Sequence, residues 1–170
     1  MEDFVQKCEN SGRFNWNQIT VIREGFRQGL TIEQVEVYAD PKFNELQMEE
    51  IRDSFKNGLT MEQVEVFAKP EFDSNQMFQI RVGFEQELTM EQVEFYADTK
   101  FNHHQMYQIC KGFNNGLTMQ QVKVYAKPQF DWYEMSGIQH YLFETGLTNL
   151  SEKECKFLIG IGVIDTDFVW

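Results

Sequence analysis

The chain has 170 residues, 27 Asp+Glu against 15 Lys+Arg, a formal net charge of −12 and 42% hydrophobic residues. That is enough apolar material for a folded core without disulfide or metal support, which argues against disorder. So acidic a surface disfavours direct contact with nucleic-acid phosphates, and the longest apolar run, Phe157 to Ile164, is far too short for a membrane span.

The opening Met1-Glu2-Asp3 lacks the basic and apolar segments of a signal peptide. The expectation is therefore a soluble, cytoplasmic protein. Residues 1–13 read as a half-unit, because Met1-Glu2-Asp3-Phe4 echoes Met61-Glu62-Gln63-Val64 further on. They would cap the N-terminal end of the residues beyond them.

From Phe14 onward the chain repeats itself. Phe14, Phe43, Phe72, Phe101 and Phe130 are each 29 residues apart, and the segments 14–42, 43–71, 72–100 and 101–129 align without a gap. Such self-similarity marks a repeat architecture. Within each copy the Phe is followed by Asn or Asp and, three residues later, by Gln or Glu: Asn15 with Gln18, Asn44 with Gln47, Asp73 with Gln76, Asn102 with Gln105, Asp131 with Glu134. This is the capping-box pattern, which predicts a helix start. Ile, Met and Phe then recur at helical spacing. Gly29, Gly58 and Gly116 predict left-handed stops, with Glu87 the exception.

A second helix of about eight residues is predicted to succeed each first one. Thr31 with Gln34, Thr60 with Gln63, Thr89 with Gln92 and Thr118 with Gln121 form further capping boxes. Pro41, Pro70 and Pro128 stand just beyond these helices and block their continuation. Gly25, Ser54, Gly83 and Gly112 recur inside the first helices, where small side chains would allow close helix contact.

Segment 130–170 starts as a fifth copy, gains one residue before Gly146 and loses the pattern after Leu150. Ser151 with Glu154 makes a displaced capping box, and the apolar tail from Phe157 through Trp170 is expected to cover the last hairpin. One such hairpin buries too little surface alone, so successive hairpins must stack. The predicted fold is all-α: one repeat domain, 1–170, built as a short α-solenoid of two-helix units.

Chemistry is sparse in this pattern. Cys8, Cys110 and Cys155 are widely separated, and reduced thiols are expected. No spacing suits a zinc site, and no nucleophile elbow, metalloprotease, paired-aspartate or phosphate-loop motif occurs. His103, His104 and His140 are the only histidines; the adjacent pair points in different directions on a helix. No catalytic residue, cofactor or metal is expected, and the chain reads as a non-enzyme.

Binding is better supported. The first and fifth positions of the opening helices read Trp16 and Thr20, Glu45 and Glu49, Ser74 and Phe78, His103 and Tyr107, Trp132 and Ser136. Trp16, Phe78, His103, Tyr107 and Trp132 thus form a candidate aromatic row; alternatively, Trp16 and Trp132 cover the two ends of the core. The second helices carry Glu33 and Glu36, Glu62 and Glu65, Glu91 and Glu94, a candidate acidic ridge, replaced by Gln120 and Lys123 in the fourth copy. Segment 43–71 holds seven acids against three bases, and 72–100 six against two, whereas 101–129 has three bases and no acid. Such a ridge serves solubility or steers the chain onto a basic partner surface.

The unit F-D-S-N-Q-M-F-Q-I-R-V-G-F-E-Q-E-L-T-M-E-Q-V-E-F-Y-A-D resembles tandem repeats of uncharacterised proteins of bacteria, phages and mobile elements. The resemblance covers residues 14 to 147 and is structural, so it carries no catalytic residue. It implies an all-helical array of mobile-element origin, and by size and charge it is similar to anti-CRISPR proteins. The implied reading is a non-catalytic protein-binding module, in the form of a phage or mobile-element inhibitor of a host defence nuclease. Its partner would be a protein with a basic surface, met in the host cytoplasm without direct nucleic-acid or membrane contact. A sponge for a small signalling molecule and a structural or assembly scaffold stay open as alternatives, as does a homo-oligomer.

Overall fold

The computed structural model describes residues 1–166, and every regular element among them is a helix. The chain forms two compact units, Met1–Glu85 and Gln86–Trp170. The boundary falls at the turn between the two helices of the third repeat. Among the described residues no helix is long and apolar enough to cross a membrane.

The first unit contains α1 (Glu2–Asn10), α2 (Trp16–Arg27), α3 (Ile32–Tyr38), α4 (Glu45–Lys56), α5 (Met61–Glu65) and α6 (Ser74–Glu85). Each first helix starts on a reciprocal capping box. Asn15 accepts from the Gln18 amide at 2.9 Å while the Gln18 side chain accepts from the Asn15 amide at 2.8 Å. Asn44 with Gln47 and Asp73 with Gln76 repeat the arrangement. α1 packs on α2, α2 on α3 and α4, and α4 on α3, α5 and α6. Ile22, Val35, Tyr38, Met48, Ile51, Val64, Phe67, Met77 and Ile80 are completely buried by this packing. Each such side chain contributes roughly 1.5–3 kcal/mol by leaving water, which short helices need because they are marginal alone.

The second unit contains α7 (Met90–Tyr96), α8 (His103–Asn114), α9 (Met119–Tyr125), α10 (Trp132–Thr145) and α11 (Glu152–Gly160). α8 packs on α7, α9 and α10, and α9 also meets α10. Val93, Tyr96, Met106, Ile109, Val122, Tyr125, Met135 and Ile138 form its core. Capping boxes again open the helices, with Asp131 and Glu134 serving α10 and Ser151 and Glu154 serving α11.

The capping-box glutamine has a second task that local pattern does not show. Its Nε2 reaches the carbonyl of the Phe that opens the next repeat: Gln18 to Phe43 at 2.6 Å and Gln47 to Phe72 at 2.6 Å in the first unit, Gln105 to Phe130 at 2.7 Å in the second. Gln47 and Gln105 also reach the carbonyls of Pro70 and Pro128. One side chain therefore closes its own helix and ties down the loop of the next repeat. These glutamines are buried with both ends of the amide satisfied, as buried polar groups require.

Three expectations need correction. The second helices have seven, five, seven and seven residues rather than about eight. Two of the small residues, Gly25 and Gly112, make room for a tyrosine of their own repeat: a β-carbon on Gly25 would lie 1.8 Å from the Tyr38 hydroxyl, and one on Gly112 1.8 Å from that of Tyr125. Finally, Phe157 does not cover the last hairpin; it is 63% exposed. Among the described residues of that tail Ile164 is the buried one, with Cys155 buried just before it, and the Asp165 carbonyl lies so close to α10 that a β-carbon on Gly137 would sit 2.5 Å from it. The rest of the expected tail, residues 167 to Trp170, lies outside the described residues.

Candidate functional site

Two sets of residues were expected to form surfaces, and each unit presents its own part of them. In the first unit Glu33 and Glu36 lie on α3 and Glu62 and Glu65 on α5; all four are exposed. In the second unit Glu91 and Glu94 are exposed on α7. Members of each pair are three residues apart, so they share a helix face. None of the six is in an ion pair among the described residues. The Glu33 carboxyl is held below its ordinary range by its own backbone amide and by the Thr31 hydroxyl, so it stays ionised.

Other acids of the first unit serve its interior. Glu50 on α4 accepts from Arg81 on α6 at 3.1 Å, and the same guanidinium reaches Glu85 at 2.6 Å. Burial raises the Glu50 carboxyl above its usual range against the pull of Arg81. Burial also works against the Arg81 charge, but its bond to Glu85 and the two nearby carboxylates hold it protonated.

The aromatic residues fare differently in the two units. Trp16 is 78% exposed at the first position of α2, so it covers no core. Phe78 on α6 is half-exposed with the Arg81 guanidinium 5.0 Å above its ring. Between them the repeat 43–71 offers Glu45 and Glu49 instead, so the first unit has no continuous aromatic row. Asn17 donates to Glu45 at 3.3 Å, which joins the second position of one opening helix to the first position of the next.

In the second unit that same relation assembles a cluster. His104, at the second position of α8, stacks on Trp132, at the first position of α10, with ring centroids 5.8 Å apart and planes inclined by 27°. His103 lies 4.0 Å from His104 by centroid, and Tyr133 3.7 Å from Trp132. Trp132 is half-buried, Tyr133 exposed. Tyr107, one turn after His103, is exposed with Lys111 5.6 Å over its ring. His103, Trp132 and Tyr107 were anticipated; His104 and Tyr133 were not. The available signal was the 28-residue offset between His104 and Trp132, which brings neighbouring opening helices side by side. Ser136, taken as a surface position, is buried because α10 packs against both α8 and α9.

The first unit also holds one feature that patterning did not suggest. A groove of about 470 Å³ runs between α1 and α2, lined by Val5, Phe26, Arg23 and Arg27 among others. Glu9 and Arg23 pair across it. All three cysteines are unbridged, buried and in helices. Burial pushes each thiol up, with Glu9 adding to the effect at Cys8 and Glu154 at Cys155, which keeps the nucleophilic thiolate scarce. Among the described residues no three His, Cys, Asp or Glu side chains converge on a metal position. The arrangement can therefore present charge and aromatic surface to another molecule, each unit with its own geometry. Comparison with protein-family models, with curated proteins and with solved structures returns no match.

Proposed function

We propose that this chain is a non-catalytic protein-binding module, a short α-solenoid of stacked repeats whose glutamates meet a basic surface on a partner protein. In its most concrete form it is a phage or mobile-element inhibitor of a host defence nuclease, anti-CRISPR-like, that occupies a nucleic-acid-binding surface in the host cytoplasm. The observation that supports this reading is that Glu33, Glu36, Glu62, Glu65, Glu91 and Glu94 are all exposed and none is spent on an ion pair among the described residues. Charges left free in this way raise association rates and select oppositely charged partners. The half-buried Trp132 with His104 and Tyr133 has the character of an anchor, since aromatic residues of this kind dominate binding energy.

The test is capture of purified nucleic-acid-binding defence proteins on the immobilised chain at moderate salt. A variant with Glu62→Lys, Glu65→Lys, Glu91→Lys and Glu94→Lys is expected to lose at least tenfold in association rate while keeping its helical circular dichroism. Retention of no such protein, or equal retention by the reversed variant, sinks the proposal.

A further inference from the structure

The seam between α8 and α10 carries a buried polar slot. Gln108 on α8 is completely buried, and Ser136 and Gln139 on α10 are at least nine-tenths buried. Both amide atoms of Gln108, both of Gln139 and the Ser136 hydroxyl have no protein partner. The Gln139 Nε2 lies close enough to α8 that a β-carbon on Gly112 would be 3.4 Å from it. Beside Gly112 stands Tyr125, whose hydroxyl donates to the Gln108 carbonyl at 3.3 Å. Backbone and tyrosine are thus satisfied while the two glutamine side chains are not.

The repeat register explains which job this slot has. In the first unit, Glu50 on α4 and Arg81 on α6 stand 31 residues apart and bond directly at 3.1 Å. Gln108 and Gln139 also stand 31 residues apart and hold the same positions on α8 and α10. Two glutamines have shorter reach than a glutamate with an arginine and carry no charge to draw them together. Leaving five buried polar atoms unbonded is costly. Gln139 also lines a cavity of about 10 Å³ with Asn115, His140, Leu117 and Phe143. That cavity is walled by mostly apolar surface, and Gln108 and Ser136 are not part of its lining.

We infer that the α8–α10 seam is a water-binding site, in which ordered water bridges the Gln108 and Gln139 side chains and does there what the Glu50–Arg81 ion pair does between α4 and α6. Water is the occupant the chemistry selects, because it donates and accepts at once, as two unbonded amides and a hydroxyl require.

The experiment uses the full chain. A high-resolution crystal structure is expected to show ordered water within hydrogen-bonding reach of both amides. In solution, the side-chain amide protons of Gln108 and Gln139 are expected to show cross-relaxation with a long-lived water. In Gln139→Leu the Gln108 contact should fall by at least half, with helical circular dichroism unchanged. Direct bonding of the two amides to each other or to backbone in a dry slot would overturn the inference. So would a Gln108 water contact of undiminished strength in a folded Gln139→Leu variant. Should that variant fail to fold, the wild-type crystal structure and amide spectra decide the matter.

Discussion

Gly25 and Tyr38 share one volume: the tyrosine hydroxyl lies where a side chain on Gly25 would begin, 1.8 Å from the position of a β-carbon. Gly112 and Tyr125 stand in the same relation. The second repeat solves the problem the other way round. It has Ser54 in place of the glycine and Phe67 in place of the tyrosine, both completely buried, and the Ser54 hydroxyl donates to the Glu50 carbonyl at 2.7 Å. Removing the phenolic oxygen makes room for the serine.

Gly25→Ala should therefore destabilise the first unit by about 1–3 kcal/mol, because overpacking outweighs the better helix propensity of alanine. Adding Tyr38→Phe should restore most of the loss. Phe67→Tyr should be destabilising on its own. Chemical denaturation of these three variants and of Tyr38→Phe alone checks this, and additivity of Gly25→Ala with Tyr38→Phe would refute the shared-volume account.

The glutamine that joins successive repeats yields a second prediction. Gln47→Glu keeps the acceptor for the Asn44 amide but loses the donor to the Phe72 carbonyl and turns a buried carboxylate toward an acceptor. It should cost about 2–3 kcal/mol. Gln34→Glu, in a capping box whose glutamine is half-buried and only caps, should cost well under 1 kcal/mol. Urea midpoints of the two variants settle the comparison.

Glu87 adopts φ +64°, where every other repeat that keeps the register places glycine. A side chain in the left-handed region is strained, and glycine relieves it at some cost in unfolded-state entropy. Glu87→Gly should raise stability by about 0.5–1 kcal/mol, read as an upward shift of the thermal midpoint.

Tyr38, Tyr96 and Tyr125 are buried, and burial raises each phenol above its ordinary value of 10.0. The unfolded chain therefore releases these protons at lower pH than the folded one. Their contribution to stability is complete below pH 10 and is lost as pH rises beyond it. On alkaline titration, the tyrosinate absorbance from these three residues should appear together with loss of helical circular dichroism. Its appearance in a still-helical protein would contradict the assignment.

Much of this was legible in the chain. The 29-residue period, the helix starts at Asn15, Asn44, Asp73, Asn102 and Asp131, and the displaced start at Ser151 are all found where the capping patterns put them. These are local interactions, three residues in reach, so sequence alone expresses them. The exposure of the six glutamates stemmed from the same periodicity.

Other regularities of the chain stay silent until it is folded. The capping residue is Gln18, Gln47 and Gln105 where its amide reaches the opening Phe of the next repeat, but Glu134 at the start of α10. The alternation of Gly with Tyr and Ser with Phe is of the same kind. Neither carries meaning until the fold shows that positions 25 residues apart, or 13, meet in space.

By itself, then, the sequence determined an all-helical chain of repeats, where each helix begins and turns, and which acids stay in water, because helix capping and amphipathic spacing act within one or two turns. Tertiary structure alone decided that Gln47 holds Phe72, that Tyr38 needs Gly25, that His104 stacks on Trp132, and that Ser136, Gln108 and Gln139 are buried. Each of these depends on how two helices approach, and that approach is set by the packing of side chains distant in sequence.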